Sequence, residues 1–259
     1  MDGSGVSIGV MSDSYNYLNG AGAGVSSGDL PGLGNPNGYT TPVTIVSDPF
    51  SGIDEGRAMC EIVHDLSPSS QLYFATANGG QATFASRITS LSDVQNCDII
   101  VDDIRYFEEP FYMDGVIAQA CDYVYGQGVA YFASAGNYAQ SSYEAPFQPG
   151  PFQSNTNRVF HDFDPGPGVD TMQSITINAS SSFNLTLQWD DPWGSYTGNT
   201  AQTDLDVYIY DASGNSALLS SVRDNINTTL DPTEFISASR GGSGTVTFNI
   251  AIVKFGGYS

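Results

Sequence analysis

Basic side chains are almost missing from this chain: one lysine, Lys254, and six arginines stand against 28 acids, for a formal charge of −21. So few cations cannot neutralise many phosphates, which excludes nucleic acid as an expected partner. Long apolar runs are also absent. Nothing approaches the roughly 18 uninterrupted apolar residues of a membrane span, so no membrane partner is expected. The three cysteines, Cys60, Cys97 and Cys121, are too few and too scattered for a disulfide scaffold or a zinc site. They read as small buried apolar residues. The N-terminal MDGSGVSIGV has neither the basic start nor the apolar stretch of a signal peptide. What is present is a core: 259 residues, 40% hydrophobic and 12% aromatic, enough for one large domain or two smaller ones. Charged residues are only 14% of the chain and dispersed, which reads as a solvated surface rather than a binding tail.

Two patterns divide the chain. Over residues 5–137, short apolar runs alternate with helical spacing. Strands are expected at Val6–Met11, Val43–Val46, Gln71–Ala75, Asp98–Asp103 and Val129–Ser134. Helices are expected at Asp54–Leu66, Gln81–Val94 and Met113–Tyr125. In the first, Ala58, Ile62 and Leu66 suggest the apolar face; in the third, Val116, Ala120 and Val124 do, with Gly126 and Gly128 as the stop. This alternation predicts an α/β fold with a doubly wound, mostly parallel sheet over residues 1–149. From residue 150 to 259 the helical period disappears. Ser174–Asn178, Phe183–Trp189, Leu205–Tyr210, Phe235–Ser237 and Thr245–Val253 read as strands between turn-rich segments such as DPWGSYTGNT. They suggest an antiparallel β-sandwich of jelly-roll type. APFQPGPFQSNTN, stiffened by Pro146, Pro149 and Pro151, reads as the linker.

Candidate chemistry gathers where parallel strands end. Asp13 follows the first strand, at the edge where doubly wound sheets collect ligands and catalytic groups; a turn or cap role is the alternative. Asp54 and Glu55 open the first long helix, where acids are favoured by the dipole as capping residues. Ser134-Ala135-Gly136-Asn137 follows the fifth strand and sets an amide at the same edge, able to donate to an oxyanion.

Together these segments resemble the subtilisin-like serine peptidases, the subtilases. The strand ending Asp13-Ser14 is similar to the family's aspartate motif. Glu55-Gly56 through Val63-His64-Asp65-Leu66-Ser67-Pro68 and Leu72-Tyr73 is similar to its histidine helix and the next strand. Ser134–Asn137 is similar to its oxyanion segment. The strings SDSYN, DEGRAM and EAPF suggest a bacterial subgroup with a β-sandwich inserted after the oxyanion strand. The resemblance implies an exported, extracellular endopeptidase acting on peptide or protein substrates. It assigns Asp13 and Glu55 to acid/base work, Asn137 to the oxyanion, and Asp102, Asp103, Ile104, Arg105 and Tyr106 to the substrate cleft. No cofactor is required.

Two departures accompany it. Glu55 stands at the family's histidine position, and His64, nine residues on, lies about 900° away in helical rotation and so on the opposite face. The sedolisins, relatives with a Ser–Glu–Asp triad, use a glutamate base, but their aspartate follows it by four residues, where this chain has Met59. A proton shared with Asp13 would raise the apparent pKa of an Asp13–Glu55 pair. The second departure is the nucleophile: no Gly-Thr-Ser turn opens a late helix. Ser243, in Arg240-Gly241-Gly242-Ser243-Gly244, reads as a hairpin turn. The expectation is therefore a peptidase fragment, inactive as it stands. The alternative is a non-catalytic pseudoenzyme or assembly protein, self-associating through its sandwich or an open sheet edge. Asp204 and Asp206 share a strand face and could join Asp190 and Asp191 around calcium, or remain solvated acids. Asn178, Asn184 and Asn227 sit in short sequons that arise readily by chance.

Overall fold

The protein is described by a computed structural model covering residues 2–138, 141–153, 157–178, 180–239 and 241–257. It divides into two compact units, Met1–Glu109 with Asp114–Ser141, and Pro110–Met113 with Ser142–Ser259.

The first unit runs β1 (Ser7–Ser12), α1 (Ala21–Ser27), β2 (Thr44–Ser47), α2 (Glu55–Leu66), β3 (Gln71–Thr76), α3 (Gln81–Asp93), β4 (Ile99–Asp102), α4 (Val116–Gly126), β5 (Ala130–Ala133). The strands form one parallel five-stranded sheet in the order β2-β3-β1-β4-β5. Alternate side chains of the central strands feed two cores, as period-two geometry requires. Ile8 and Val10 of β1 pack with Leu72, Phe74, Cys60 and the partly buried Val25, Met59 and Val63 on the α1/α2 face. Met11 and Ile100 pack with Phe84, Ile88, Leu91, Ala120 and Val124 on the α3/α4 face. The order reverses direction between β1 and β4: the chain leaves β1 toward β2 at one edge and leaves β4 toward β5 at the other. In doubly wound sheets, ligands and catalytic groups gather beyond the strand ends at such a reversal.

One helix face differs from the sequence reading. Ile62 and Leu66 are 62% and 78% exposed, and Ala58 is exposed too, whereas Gly56, Cys60 and His64 are buried. The helix rolls onto the face that carries Gly56, because only there can its backbone meet the sheet. A Cβ at Gly56 would lie 2.2 Å from Phe74 Cε2 and 2.8 Å from the Ser14 carbonyl oxygen. Phe74 is fully buried, so neither neighbour can retreat. Gly56→Ala is expected to cost about 1–3 kcal/mol or more through overpacking, read as a lower urea midpoint for the amides of β1 and β3. An unchanged midpoint would show that α2 is free to lift.

The second unit contains β6 (Pro149–Gln153), β7 (Arg158–His161), β8 (Gln173–Asn178), β9 (Ser182–Gln188), the short α5 (Gly194–Thr197), β10 (Thr203–Tyr210), β11 (Ala217–Ser221), β12 (Thr233–Ser239) and β13 (Thr245–Gly257). An antiparallel six-stranded sheet runs β11-β10-β13-β7-β6, with β8 also on β13; β12 and β9 form a second sheet. Val207, Ile209 and Ile250 of the first sheet bury themselves against Ile236 of the second, flanked by Phe183, Leu185, Leu187 and Phe248. This is a β-sandwich.

Within the expected linker, residues 149–153 are part of this sandwich. Gln148 N–H donates to His161 Nδ1 at 3.0 Å, and Pro149–Gln153 is strand β6. The unit therefore begins near residue 142 rather than 150. Pro149 and Pro151 fit because β6 is the last strand of its sheet, where a missing N–H costs least.

Candidate acid/base site

The ends of β1, β4 and β5 lie side by side: Met11 pairs with Asp102, and Asp102 pairs with Ala133. The Ser134 N–H extends the β4–β5 ladder by donating to the Asp102 carbonyl at 3.0 Å. Asp13, Asp103 and the Ser134–Asn137 turn therefore emerge on one edge of the sheet, with Asp13 and Asp103 flanking the reversal of strand order.

Asp13 is held from both ends. Its carbonyl accepts the Thr76 hydroxyl at 2.6 Å and the Asn78 amide at 3.2 Å. Its carboxylate accepts the backbone N–H groups of Ser14 (2.5 Å), Ile53 (2.5 Å) and Glu55 (2.9 Å). Asp13 thus ties down the first helical N–H of α2 from another element, supplying the orphan donors that a helix start presents. Gly52 allows the approach, since a Cβ there would fall 2.1 Å from Ser14 Oγ.

Asp54, expected to cap this helix, makes no cap hydrogen bond. It is buried at φ 61°, and its carboxylate points away to Ser14 Oγ (3.0 Å), Tyr17 N–H (2.7 Å), Leu18 N–H (3.0 Å) and the Arg57 guanidinium. The Asp54 N–H returns a bond to Ser14 Oγ at 2.8 Å. Burial opposes its ionisation, but the Leu18 N–H, Ser14 and Arg57 together outweigh burial and hold its carboxyl below the ordinary range. Arg57 also reaches the Tyr15 carbonyl at 3.2 Å and Glu61 at 3.5 Å. This network fixes the turn that presents Glu55. Ser14, Asp54, Arg57, Thr76 and Asn78 were not singled out for this role by the sequence; Ser14, Asp54 and Arg57 are chain neighbours of Asp13 or Glu55, whereas Thr76 and Asn78 are brought in from the end of β3.

Glu55 is exposed at the head of α2. Its carboxyl is pushed up, first by the charge of Asp103, then by burial, by a hydrogen bond with Asp103, and last by the charge of Asp13. The partner expected for Glu55 was Asp13; its charge does raise the Glu55 carboxyl, but less than that of Asp103.

The remaining cleft candidates separate. Asp102 turns to the α3/α4 face, buried, and accepts the Tyr131 hydroxyl at 2.6 Å. Burial pushes its carboxyl up to about 6. Ile104 and Tyr106 pack against the core of that face, and Tyr106 donates to the Ala77 carbonyl at 2.6 Å. Arg105 is exposed, its guanidinium 4.3 Å from the Phe107 ring centre and 3.4 Å from that of Tyr138. Asn137 is exposed, after Gly136 at φ 71°. His64 is buried against Tyr39, edge-on with ring centres 5.3 Å apart, and burial lowers its pKa. Ser243 lies in the turn before β13.

In the sandwich, Asp204 and Asp206 are buried on the outer face of β10. They line a cavity of about 360 Å³ with Arg158, Arg223, Asp224 and Asn227. Burial raises both, Asp206 to about 6. Asp191 does not point to them: one of its oxygens takes the Trp189 indole N–H and the Gln202 and Thr203 backbone N–H groups. Among the described residues, no three His, Cys, Asp or Glu side chains gather as metal ligands. Among the same residues, no helix is long and apolar enough to cross a membrane.

No family model matches the chain, and no curated protein matches it. Among solved structures, a protein from Lactobacillus plantarum aligns over 98% of this chain and 99% of its own, at 8% identity and a TM-score of 0.19. The class of protein is therefore defined by its own architecture: an α/β unit with a parallel five-stranded sheet, followed by a β-sandwich.

Proposed function

We propose that the α/β unit is the acid/base half of an exported, extracellular subtilisin-like serine endopeptidase, with the sandwich as an insert and the nucleophilic serine outside these 259 residues. Glu55 exchanges the proton, Asp13 fixes its helix, and Asn137 donates to the oxyanion. A peptide lies along the segment Asp102–Tyr106, with Arg105 as its exposed contact. Peptide hydrolysis of this kind draws on side chains and backbone without a cofactor. The observation that supports the reading is the meeting of Asp13, Glu55 and Asp103 at the strand-order reversal, where doubly wound folds place their chemistry.

The test is a spectrum. Short peptide aldehydes titrated into the 15N-labelled chain should shift the amides of Glu55, Asp103–Tyr106 and Asn137. The same chain should cleave no casein and take no fluorophosphonate label. Shifts confined to other surfaces would remove the peptidase reading. Stoichiometric labelling of a serine within the chain would place the nucleophile here after all.

The second reading, a non-catalytic assembly protein, is favoured by the β5 edge. That strand is mostly exposed, with Phe132 59% accessible, and among the described residues it pairs with β4 alone. Sedimentation equilibrium separates the two: a dimer abolished by a charge at Phe132, with no peptide-induced shifts, would favour assembly.

A further inference from the structure

We propose that His161 is an acid-sensitive latch in the sandwich: with a neutral ring it seats residues 142–148 against β7, and on taking a second ring proton it releases them. The inference concerns the second unit alone and is independent of the peptidase reading.

Both ring nitrogens are in use. His161 ends β7 and is 2% exposed. Its Nδ1 accepts the Gln148 backbone N–H at 3.0 Å, so the single proton of the neutral ring sits on Nε2. Nε2 lies 3.2 Å from the Tyr143 hydroxyl and donates to it. Phe163 stands edge-on to the ring with centres 4.6 Å apart; Phe147 lies at 5.3 Å and Tyr143 at 6.0 Å. Both hydrogen-bond partners and two of these three aromatic neighbours come from residues 142–148, which form no strand or helix of their own. The β6–β7 ladder begins only afterwards, where the Asp162 N–H donates to the Gln148 carbonyl at 2.8 Å and Pro149 pairs with His161. The contacts that hold the segment to β7 therefore centre on one titratable ring.

Protonation reverses one of them. An imidazolium donates at both nitrogens, so Nδ1–H would meet the Gln148 N–H, donor against donor across 3.0 Å. Turning the ring over offers no acceptor either. The charges around the ring do not rescue it. Asp162 is the one charge that acts on His161, and its Oδ1 already accepts the Asp164 and Asp170 N–H groups. Asp164 and Asp170, in the turn after β7, are turned to the N–H groups of Gly166 and Met172. Residues 142–148 supply one acid, the exposed Glu144. β6 sets the uncharged Pro149 opposite the histidine, and β13 sets Lys254 opposite Val159. Burial outweighs Asp162 and keeps the ring's pKa below the ordinary histidine value. The released ring, in water, regains that value of about 6.5. The latch is therefore fully closed above about pH 6.5 and weakens as the pH falls toward the lowered value of the seated ring. Between the two values, each pH unit multiplies the opening equilibrium by about ten.

The experiment measures the hydrogen-exchange protection factor of the Gln148 amide in the full chain from pH 7.5 to 5.0, beside the ring 15N shifts of His161. The chain has only two histidines, so the ring signals are readily assigned. At pH 7.5 the His161 ring should carry its proton on Nε2. Below about pH 6.5, Gln148 protection should fall by roughly tenfold per pH unit. His161→Gln keeps an acceptor oxygen without a titrating ring, and its Gln148 protection should stay level. Asp206, raised to about 6 in the same sandwich, is the competing cause of a decline. Asp206→Asn should leave the fall intact, and this variant decides if amide spectra show His161→Gln unfolded. Level protection in the wild type, or a ring proton on Nδ1 at pH 7.5, would overturn the latch. So would a decline that persists in a folded His161→Gln or disappears in Asp206→Asn.

Discussion

Asp54→Ala is expected to destabilise the α/β unit by about 3–5 kcal/mol, the usual cost of removing one member of a buried ion pair. The carboxylate it deletes receives the Ser14 hydroxyl, two backbone N–H groups and the Arg57 guanidinium. All four donors would be left facing a space that water reaches poorly, since Asp54 is only 2% exposed. Alanine is also strained at φ 61°. At roughly 2–4 °C per kcal/mol for a domain of this order, the melting temperature should fall by ~10 °C. Asp54→Asn should lose less, because asparagine tolerates the left-handed conformation and keeps one acceptor oxygen. The measurement is thermal unfolding followed by amide signals of β1 and α2. An alanine variant melting within a degree or two of wild type would mean the network contributes little, and that the turn before Glu55 is set by Asp13 alone.

Central elements were legible because their chemistry is local. β1, β3 and β4 announce themselves as apolar runs, and α3 and α4 by spacing; the structure places each within a few residues of its sequence reading. α1 escaped because AGAGVSS has almost no apolar residue to bury and ends at Gly28 by a left-handed turn. β6 escaped because its prolines argue against a strand until its partner on one side only is known. α2 was found but turned the wrong way. Its apolar period pointed to Ile62 and Leu66, while its packing is decided by Gly56 against Phe74, a contact no periodicity encodes.

The candidate site divides in the same manner. Asp13, Glu55 and Asn137 are readable because each sits beside a strand end or helix start. What those residues do to one another is tertiary. Asp13 spends its carboxylate on backbone N–H groups around the start of α2, and its charge raises the Glu55 carboxyl less than that of Asp103 does. Asp103 was visible as a member of the Asp102–Tyr106 segment, yet its place beside the reversal of strand order depends on the neighbours β1 and β4 in the sheet. Of the neighbouring acids, Asp102 is buried and accepts the Tyr131 hydroxyl, whereas the charge of Asp103 acts on Glu55.

That division of two adjacent acids gives the second large expectation, a pH dependence set by Asp102. Burial raises it to about 6, partly offset by the hydrogen bonds from Tyr131 and the Ile104 N–H, with the charge of Asp103 adding to the rise. An unfolded aspartate titrates near 3.9. The folded state thus favours the protonated acid, so the contribution of Asp102 is fully present below about pH 3.9 and is lost as the pH rises through about 6. A difference of about two units corresponds to a loss on the order of 2–3 kcal/mol by pH 7.5. Asp54 runs the other way, since its lowered carboxyl contributes above the unfolded value and is lost only in more acidic solution. The comparison is therefore made between wild type and Asp102→Asn from pH 4.5 to 7.5. Asparagine keeps an acceptor for the Tyr131 hydroxyl and carries no charge. Hydrogen exchange at the amides of β1 and β4 reads this unit alone, because both tryptophans, Trp189 and Trp193, lie in the sandwich. Protection in the wild type should fall across that range relative to the variant, and the variant should be the more protected at pH 7.5. Parallel curves for the two proteins would mean that Asp102 stays ionised in the fold, with Tyr131 and the Ile104 N–H repaying its burial in full.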